Sequence, residues 1–239
     1  QWLVFAMVAA FFAIPAWLWM PDPSTANGTV AAQPKDNPPS KRFTQFILLA
    51  YFCAGYGYVV SATFIVDIVE GLDAMQGKGP MAFVLIGIAA LPAVIIWDRV
   101  ARKVGYLKAL LGAYALQIFG ILLPAISPDS LVLIILSTFL YGGTFIACVS
   151  LVLTMAGQFY PSNPAKFMGK MTLAYGVAQI IAPVLTGFLA EALGNYNLGL
   201  YLSAGVMFIG VCLIGSLILI QSRTNESNTL NSEASAQNG

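Results

Sequence analysis

Polar side chains recur at helical spacing inside segments of this sequence that are otherwise apolar. Tyr175 and Gln179 stand four residues apart, about one helical turn, and Tyr56 and Thr63 stand seven apart, about two turns. Each pair therefore falls on one side of its helix. Hydroxyl and amide groups in this arrangement can hydrogen-bond a solute, but they include no nucleophile beside a base and no paired carboxylates. The spacing predicts a binding surface rather than an enzyme active site.

These polar sets also have plainer interpretations, which the sequence leaves open. The Gln179 amide could make a hydrogen bond between two helices instead of contacting a solute. Asp67 continues the line of Tyr56 and Thr63 and stands near the end of its apolar segment. It is a candidate coupling or outer-gate acid, or else a carboxylate at a wet helix end.

The segments that carry these residues are long enough to cross a membrane. The sequence is 59% hydrophobic and 9% charged, with a mean hydropathy of +0.81, whereas soluble domains average about 25% charged residues. A bilayer core of about 30 Å takes roughly 20 helical residues, and lipid leaves the backbone no partner outside a helix or closed barrel. The sequence predicts an all-α membrane protein with seven transmembrane helices. The predicted spans are Trp2–Met20, Phe43–Val69, Met81–Trp97, Tyr106–Ile126, Leu131–Ala156, Met168–Ala190 and Leu198–Ile220.

A second line on the Phe43–Val69 segment consists of small residues. These are Ala50, Ala54, Gly57 and Ser61, which recur every three or four positions. Small residues at this spacing let two helices approach closely where lipid provides no hydrophobic drive for association. We expect this line to pack against a neighbouring helix.

The basic residues separate into two groups along the predicted topology. Lys78 alone falls on one side, and the other ten of the eleven basic residues fall on the opposite side. Those ten are Lys35, Lys41, Arg42, Arg99, Arg102, Lys103, Lys108, Lys166, Lys170 and Arg223. Because Lys and Arg accumulate in cytoplasmic loops, the C-terminus is predicted to be cytoplasmic.

Composition divides the chain into four parts. Residues 1–20 form the first span, and residues 21–42, rich in Pro, Ala, Asn and Ser, form a cytoplasmic linker. Residues 43–220 hold six spans, and residues 221–239 are expected to be a disordered cytoplasmic tail. The sequence opens without an initiator Met or the marks of a signal peptide, so we expect a piece of a longer polypeptide.

No combination of side chains is typical of a metal or cofactor site. The sequence has no His, and its three cysteines, Cys53, Cys148 and Cys212, all stand in apolar spans, where a thiol acts as a small hydrophobe. We therefore expect no metal, no cofactor, no enzymatic activity and no nucleic-acid partner. The expected surroundings are a lipid bilayer.

The stretch WDRVARKVGYL, residues 97–107, directly follows the third predicted span. Its bases can serve as topology anchors at the lipid headgroups. Together with the acid they also resemble the cytoplasmic loop signature of the major facilitator superfamily, G-x-x-x-D-R-x-G-R-R. The charged positions of that signature are matched by Asp98, Arg99, Arg102 and Lys103. Val94 and Ala101 stand where it has glycines.

Five stretches, in chain order, are similar to the YbfB/YjiJ family within this superfamily. They are GYGYVVSATF from residue 55, LPAVIIWDRVARK from 91, ALQIFGILLPA from 115, YGGTFIACVSL from 141 and AYGVAQIIAP from 174. The resemblance implies that residues 1–20 correspond to the sixth of twelve helices and residues 43–220 to the C-terminal six-helix bundle. The N-terminal six-helix half of the same polypeptide would then be a partner missing from this sequence.

The resemblance implies secondary transport of a small organic solute or drug-like compound across the bacterial inner (plasma) membrane by alternating access. In such folds the first and fourth helices of each half line the cavity, and the helix of Gln179 flanks it. The substrate-cavity candidates are Tyr56, Val60, Thr63, Ser150, Thr154, Tyr175 and Gln179. The acid and bases of the signature would lock the cytoplasmic side. If protons drive transport, Asp67, Glu191 or a residue outside this sequence would carry them, because no span has a charged residue at its middle.

A seven-span membrane receptor with an external N-terminus would share the predicted topology. The two functions differ in what they require of the links between spans. The 22-residue stretch 21–42 after the first span contrasts with short links such as SPDS at 127–130, and this pattern favours the transporter.

Overall fold

The structure is a computed structural model that describes the backbone of residues 2–19, 35–71, 73 and 76–237. These described residues form seven α-helices and no strand. Helix α1, Trp2–Trp19, belongs to a first unit, residues 1–35, and the other six helices belong to a second, residues 36–239. The six are α2 (Lys41–Glu70), α3 (Gly79–Val104), α4 (Tyr106–Ile126), α5 (Leu131–Phe159), α6 (Pro164–Leu193) and α7 (Asn197–Gln237).

Six of the seven predicted spans are confirmed by helix length and composition. Helices α2 to α7 are each long and apolar enough to cross a membrane, whereas the apolar part of α1 is shorter. The described residues therefore support six spanning helices and a short N-terminal helix. Most of the predicted linker 21–42 lies outside the described residues.

The last residues before α2 pack against the link between α5 and α6. The Asn37 N–H donates to the carbonyl oxygen of Phe159 at 3.0 Å. The Asp36 carboxylate accepts hydrogen bonds from the backbone N–H of Ser162 at 3.0 Å and from its hydroxyl at 2.7 Å. This end of the predicted linker is therefore held to the six-helix unit by hydrogen bonds.

The helix ends follow from local residue chemistry. Ser40 caps α2, where its hydroxyl accepts the Phe43 N–H at 3.2 Å. α6 begins with Pro164, which lacks the N–H that would have no partner in a first turn, and ends at Gly194, whose φ of 71° is left-handed. α3 and α4 are separated by Gly105 alone, whose φ of 94° only glycine adopts easily.

The last helix differs from the expectation for the chain end. We expect disorder from residue 221, yet the backbone of α7 stays helical to Gln237. Residues 221–237 contain no proline and no glycine. Since extending a helix adds one hydrogen bond for each residue fixed, nothing in this stretch stops the helix that the apolar span begins.

The six helices pack at positions where side chains are small. α2 packs against α6 and α7, and α5 packs against α3 and α4, while α4 also packs against α7. Gly55 of α2 faces the backbone of α6 at Tyr175, and Gly142 of α5 faces the backbone of α3 at Ile86. A larger residue would have no room at either crossing, so these glycines set the spacing of the bundle.

The line of small residues on α2 is confirmed as a packing surface. Ala50, Ala54 and Ser61 are buried. A side chain added at Gly57 would overlap Met207 of α7. This line therefore lies against the neighbouring helices, as its spacing predicts.

Candidate functional site

Five aromatic rings from three helices come together within the bundle. They are Tyr51 and Tyr58 of α2, Tyr141 and Phe145 of α5, and Tyr175 of α6, and we call them the aromatic cluster. The Tyr58 ring is central, with its centroid 5.0 Å from Phe145 and 6.1 Å from both Tyr141 and Tyr175. Its plane lies within 29° of all three, so these rings stack instead of meeting edge to face.

The aromatic cluster lies at the middle depth of the bundle and is partly open. Phe145 is the midpoint of α5, and Tyr58 and Tyr175 lie within one helical turn of the midpoints of α2 and α6. Tyr58 and Phe145 are half-buried, whereas the rest of the cluster is buried. The cluster therefore combines a packed interior with an accessible edge at the depth where transport folds hold their substrate.

Hydrogen bonding fixes one ring of the aromatic cluster and leaves others with free hydroxyls. The Tyr141 hydroxyl donates to the backbone carbonyl of Tyr58, which ties α5 to α2. The hydroxyls of Tyr58 and Tyr175 make no hydrogen bond to any residue that the structure describes. The half-buried Tyr58 can therefore donate to, or accept from, a solute, whereas Tyr175 is buried in this conformation.

α6 has two exposed sides of opposite chemistry. One side carries large apolar residues, Leu173, Val177, Ile180 and Val184. The adjoining side, centred about 90° around the helix, carries small or polar residues that are exposed or half-buried, Thr172, Gly176 and Gln179, and Gly169 lies at its edge; Gly169 and Gly176 are about 20° and 40° from Ile180. A side chain added at Gly169 or Gly176 would meet nothing within 4 Å. Lipid favours the large apolar side, whereas polar groups in spans usually face a bundle interior or a water-filled cavity.

Gln179 stands beside the aromatic cluster on this second side of α6. It lies one helical turn, about 6 Å, beyond Tyr175. It is half-buried, and its amide has no hydrogen-bond partner among the described residues. The structure thus brings together Tyr175 and Gln179, the pair that the sequence places on one side of a helix.

The candidates on α2 do not join this arrangement. Tyr56 and Val60 are buried in the packing between helices, which keeps a solute from reaching them in this conformation. Thr63 and Asp67 are exposed, but they lie five and nine residues from Tyr58, about 140° and 180° around the helix. The predicted polar line of α2 therefore faces away from the aromatic cluster, because the side of α2 toward α5 and α6 is the one that carries Tyr58.

The candidates on α5 are also placed elsewhere. Ser150 and Thr154 lie about 140° and 180° around α5 from Phe145. Ser150 is half-buried and Thr154 is exposed. On that far side the Trp97 indole N–H donates to the carbonyl oxygen of Gly143 at 2.8 Å, which ties α5 to α3. Neither residue is brought near Gln179.

Reasoning from the sequence missed Tyr58 and Phe145 as site residues, although a signal was present. Tyr51 and Tyr58 stand seven residues apart, and Tyr141 and Phe145 stand four apart, so each helix has its own aromatic line. The α2 line contacts Tyr175 and the α5 line contacts Tyr58, which the spacing alone cannot predict. The pairing of three aromatic lines from three helices is a tertiary feature.

Asp67 stands near the C-terminal end of α2, close to Tyr196 in the link between α6 and α7. The Tyr196 ring packs on Phe64, with centroids 5.0 Å apart. Burial, together with the nearby Asp67 carboxylate, raises the pKa of Tyr196 above its ordinary value of 10.0. A neutral phenol therefore faces the carboxylate, and it can donate a hydrogen bond to Asp67 at neutral pH.

The charged residues of the predicted loop signature stand on a helix and not in a loop. α3 continues through all of them to Val104, and Arg102 donates from Nε to the Asp98 carboxylate at 2.8 Å, one turn apart. Both side chains are exposed. Arg102 and Lys103 fall in the last turn, where positive charge interacts favourably with the helix dipole, so the charged residues prolong the helix.

Two buried polar atoms among the described residues have no hydrogen-bond partner. They are the Gln117 amide nitrogen and the Thr186 hydroxyl. The Gln117 amide oxygen accepts from the Cys148 thiol at 3.3 Å, and Thr186 packs against Gly199 of α7. These polar residues are enclosed by helix packing, so they belong to the interior of the bundle and not to its open face.

Six helices long and apolar enough to span a membrane, with a partly open aromatic surface at mid-depth and charged residues toward their ends, are compatible with a membrane transporter. Residues 1–215 match the family described as "Uncharacterised MFS-type transporter YbfB". The chain belongs to this family of multi-pass transport proteins, which favours the transporter over the seven-span receptor. No curated protein matches the chain.

Proposed function

We propose that this chain is the C-terminal part of a secondary active transporter that moves a small organic solute or drug-like compound across the bacterial inner membrane by alternating access. The observation that carries the proposal is the contrast between the two exposed sides of α6. Its large apolar side suits lipid, and its small polar side, with Gln179 beside the aromatic cluster, suits an aqueous path. Such a path has its binding site near mid-membrane, the depth of the aromatic cluster.

The small polar side also supports a second helical bundle opposite this one. Gly169 and Gly176 leave open space on α6 that a facing helix could approach closely. We assign this place to the N-terminal six helices that the family resemblance implies. The Asp98–Arg102 pair would then face that bundle at the cytoplasmic side, the side on which the distribution of basic residues predicts the C-terminus.

Coupling to protons is part of the proposal only through the outer end of the bundle. Asp67 is exposed to water and lies near Tyr196, which can donate a hydrogen bond to it. We place it as an outer-gate acid and not as a group of the central site. Ser150 and Thr154 lie on the far side of α5 and would contact a solute only if the helices rearrange.

The proposal is tested by transport measurements on the full-length protein. A strain lacking the transporter is compared with one that expresses it, for uptake and export of a panel of organic solutes, with and without a proton uncoupler. For a transported solute, Gln179→Ala should raise the KM about three- to tenfold, since a hydrogen bond to an uncharged partner contributes about 0.5–1.5 kcal/mol.

The matched control is Gln45→Ala, an exposed glutamine near the cytoplasmic end of α2. It should leave transport unchanged at equal membrane abundance. If no solute of the panel distinguishes the two strains, the transport function is rejected. An equal effect of Gln45→Ala and Gln179→Ala would reject the mid-depth site instead.

A further inference from the structure

We infer that the aromatic cluster recognises a flat aromatic solute that carries no negative charge, by stacking it on the open edge of the rings. This inference rests on the proposed transport function and names the class of substrate. Tyr58 and Phe145 are the half-buried members of the cluster, and their ring centroids lie 5.0 Å apart with planes 23° apart. A flat ring added beside them continues an arrangement that the protein already makes.

The absence of charge along the lining helices defines which solutes fit. No charged residue occurs in α5, in residues 43–66 of α2 or in residues 171–190 of α6. An anion would therefore find no cation on these helices, and it would meet the electronegative faces of aromatic rings. A neutral ring or one with a delocalised positive charge would be attracted to the same faces.

Polar groups at the rim would orient the solute. The hydroxyls of Tyr58 and Tyr175 and the Gln179 amide have no partner among the described residues. Tyr58 and Gln179 are half-buried and offer donors and acceptors next to the stacked rings, whereas Tyr175 lies behind them in the buried part of the cluster. A heteroaromatic solute with hydrogen-bonding atoms on its edge would satisfy them, whereas an aliphatic solute of equal size would use only part of this surface.

The test is dye binding to the purified full-length protein in lipid nanodiscs, followed by fluorescence anisotropy. The probes are proflavine, a flat tricyclic cation, and fluorescein, a flat tricyclic anion. Proflavine should bind and fluorescein should bind at least tenfold more weakly. Phe145→Leu should weaken proflavine binding about tenfold, as the loss of one stacking contact predicts.

The matched control is Phe139→Leu, the same substitution on the exposed side of α5 that is rich in large apolar residues. It should leave proflavine binding unchanged, and Phe145→Trp, which keeps an aromatic ring, should retain it. Equal binding of the two dyes, no binding of proflavine, or equal binding by Phe145→Leu and wild type would overturn the inference. If a solute is transported equally well by wild type and Phe145→Leu, the aromatic class of substrate is rejected and the transport function stands. If the protein transports no solute, the proposed transport function is rejected.

Discussion

Gly55→Ala tests how closely α2 and α6 approach, and this spacing holds Tyr175 against Tyr58. A Cβ at Gly55 would stand 2.5 Å from the carbonyl oxygen of Tyr175 and 3.2 Å from the Ala178 Cβ. Ordinary contact begins at 3.4 Å, so the helices would have to separate by about 0.9 Å, the difference between 3.4 and 2.5 Å. The nearest atom belongs to the backbone, so rotation of a side chain cannot relieve the overlap.

The expected cost is that of overpacking, about 1–3 kcal/mol. An alanine also gains about 0.8–1 kcal/mol of helix propensity over glycine, which would partly hide this cost. Gly205→Ala in α7 is the matched control, because a Cβ there meets nothing within 4 Å and only the propensity term remains. The difference in unfolding free energy between the two variants therefore measures the cost of the steric overlap at Gly55.

The assay is the free energy of unfolding of the purified full-length protein, from titration with a denaturing detergent. Gly55→Ala should be less stable than Gly205→Ala by about 1–3 kcal/mol. It should also weaken proflavine binding, because Tyr175 moves away from Tyr58. If the two variants are equally stable, α2 and α6 are not in close contact at Gly55 and the described arrangement of the aromatic cluster is wrong.

Two further predictions concern the interior of the bundle and the C-terminal end of α3. Thr186→Val keeps the shape of the side chain and removes a buried hydroxyl that has no hydrogen-bond partner among the described residues. It should therefore raise the free energy of unfolding by about 1 kcal/mol in the same titration. A lower free energy of unfolding would mean that the hydroxyl has a partner in the full-length protein. Asp98→Asn breaks an exposed pair within one helix, so it should leave the unfolding free energy unchanged within error while lowering the rate of transport through its proposed role at the cytoplasmic side. The opposite pattern, lower stability with normal transport, would assign Asp98 a purely structural role.

Much of the fold can be predicted from the sequence because, in lipid, each helix makes the hydrogen bonds of its own backbone within itself. The apolar runs predict six of the spanning helices, and Pro164 and Gly194 mark the two ends of α6. The line of Ala54 and Gly57 predicts a packing surface, since small residues are what membrane helices use to approach each other. What the runs do not predict is where α3 stops, because its charged final turns are helical through the Asp98–Arg102 pair.

The site is harder to predict because lipid and the bundle interior are both apolar. In a helix of a soluble protein the buried side can be recognised because it is hydrophobic. Here Tyr58 and Thr63 lie on different sides of α2, and both are polar residues within an apolar segment, so polarity does not show which side is buried. Which side meets α5 and α6 depends on the close approach at Gly55, a property of two helices together. The place of Gln179 on the polar side of α6 could be predicted because the polar and apolar residues of α6 recur at different helical positions in the sequence; its contact with a solute stays a prediction.

The most direct test of the account is whether water reaches the small polar side of α6. Gln179→Cys and Ile180→Cys place the same thiol at adjacent positions, one beside the aromatic cluster and one on the large apolar side. In full-length protein with its native cysteines replaced, a membrane-impermeant maleimide should label Gln179→Cys, and a transported solute should slow that labelling. Ile180→Cys should stay unlabelled, because only a hydrated thiol ionises to the reactive thiolate. Equal labelling at both positions, or labelling of Ile180→Cys alone, would contradict an aqueous path along this side of the helix.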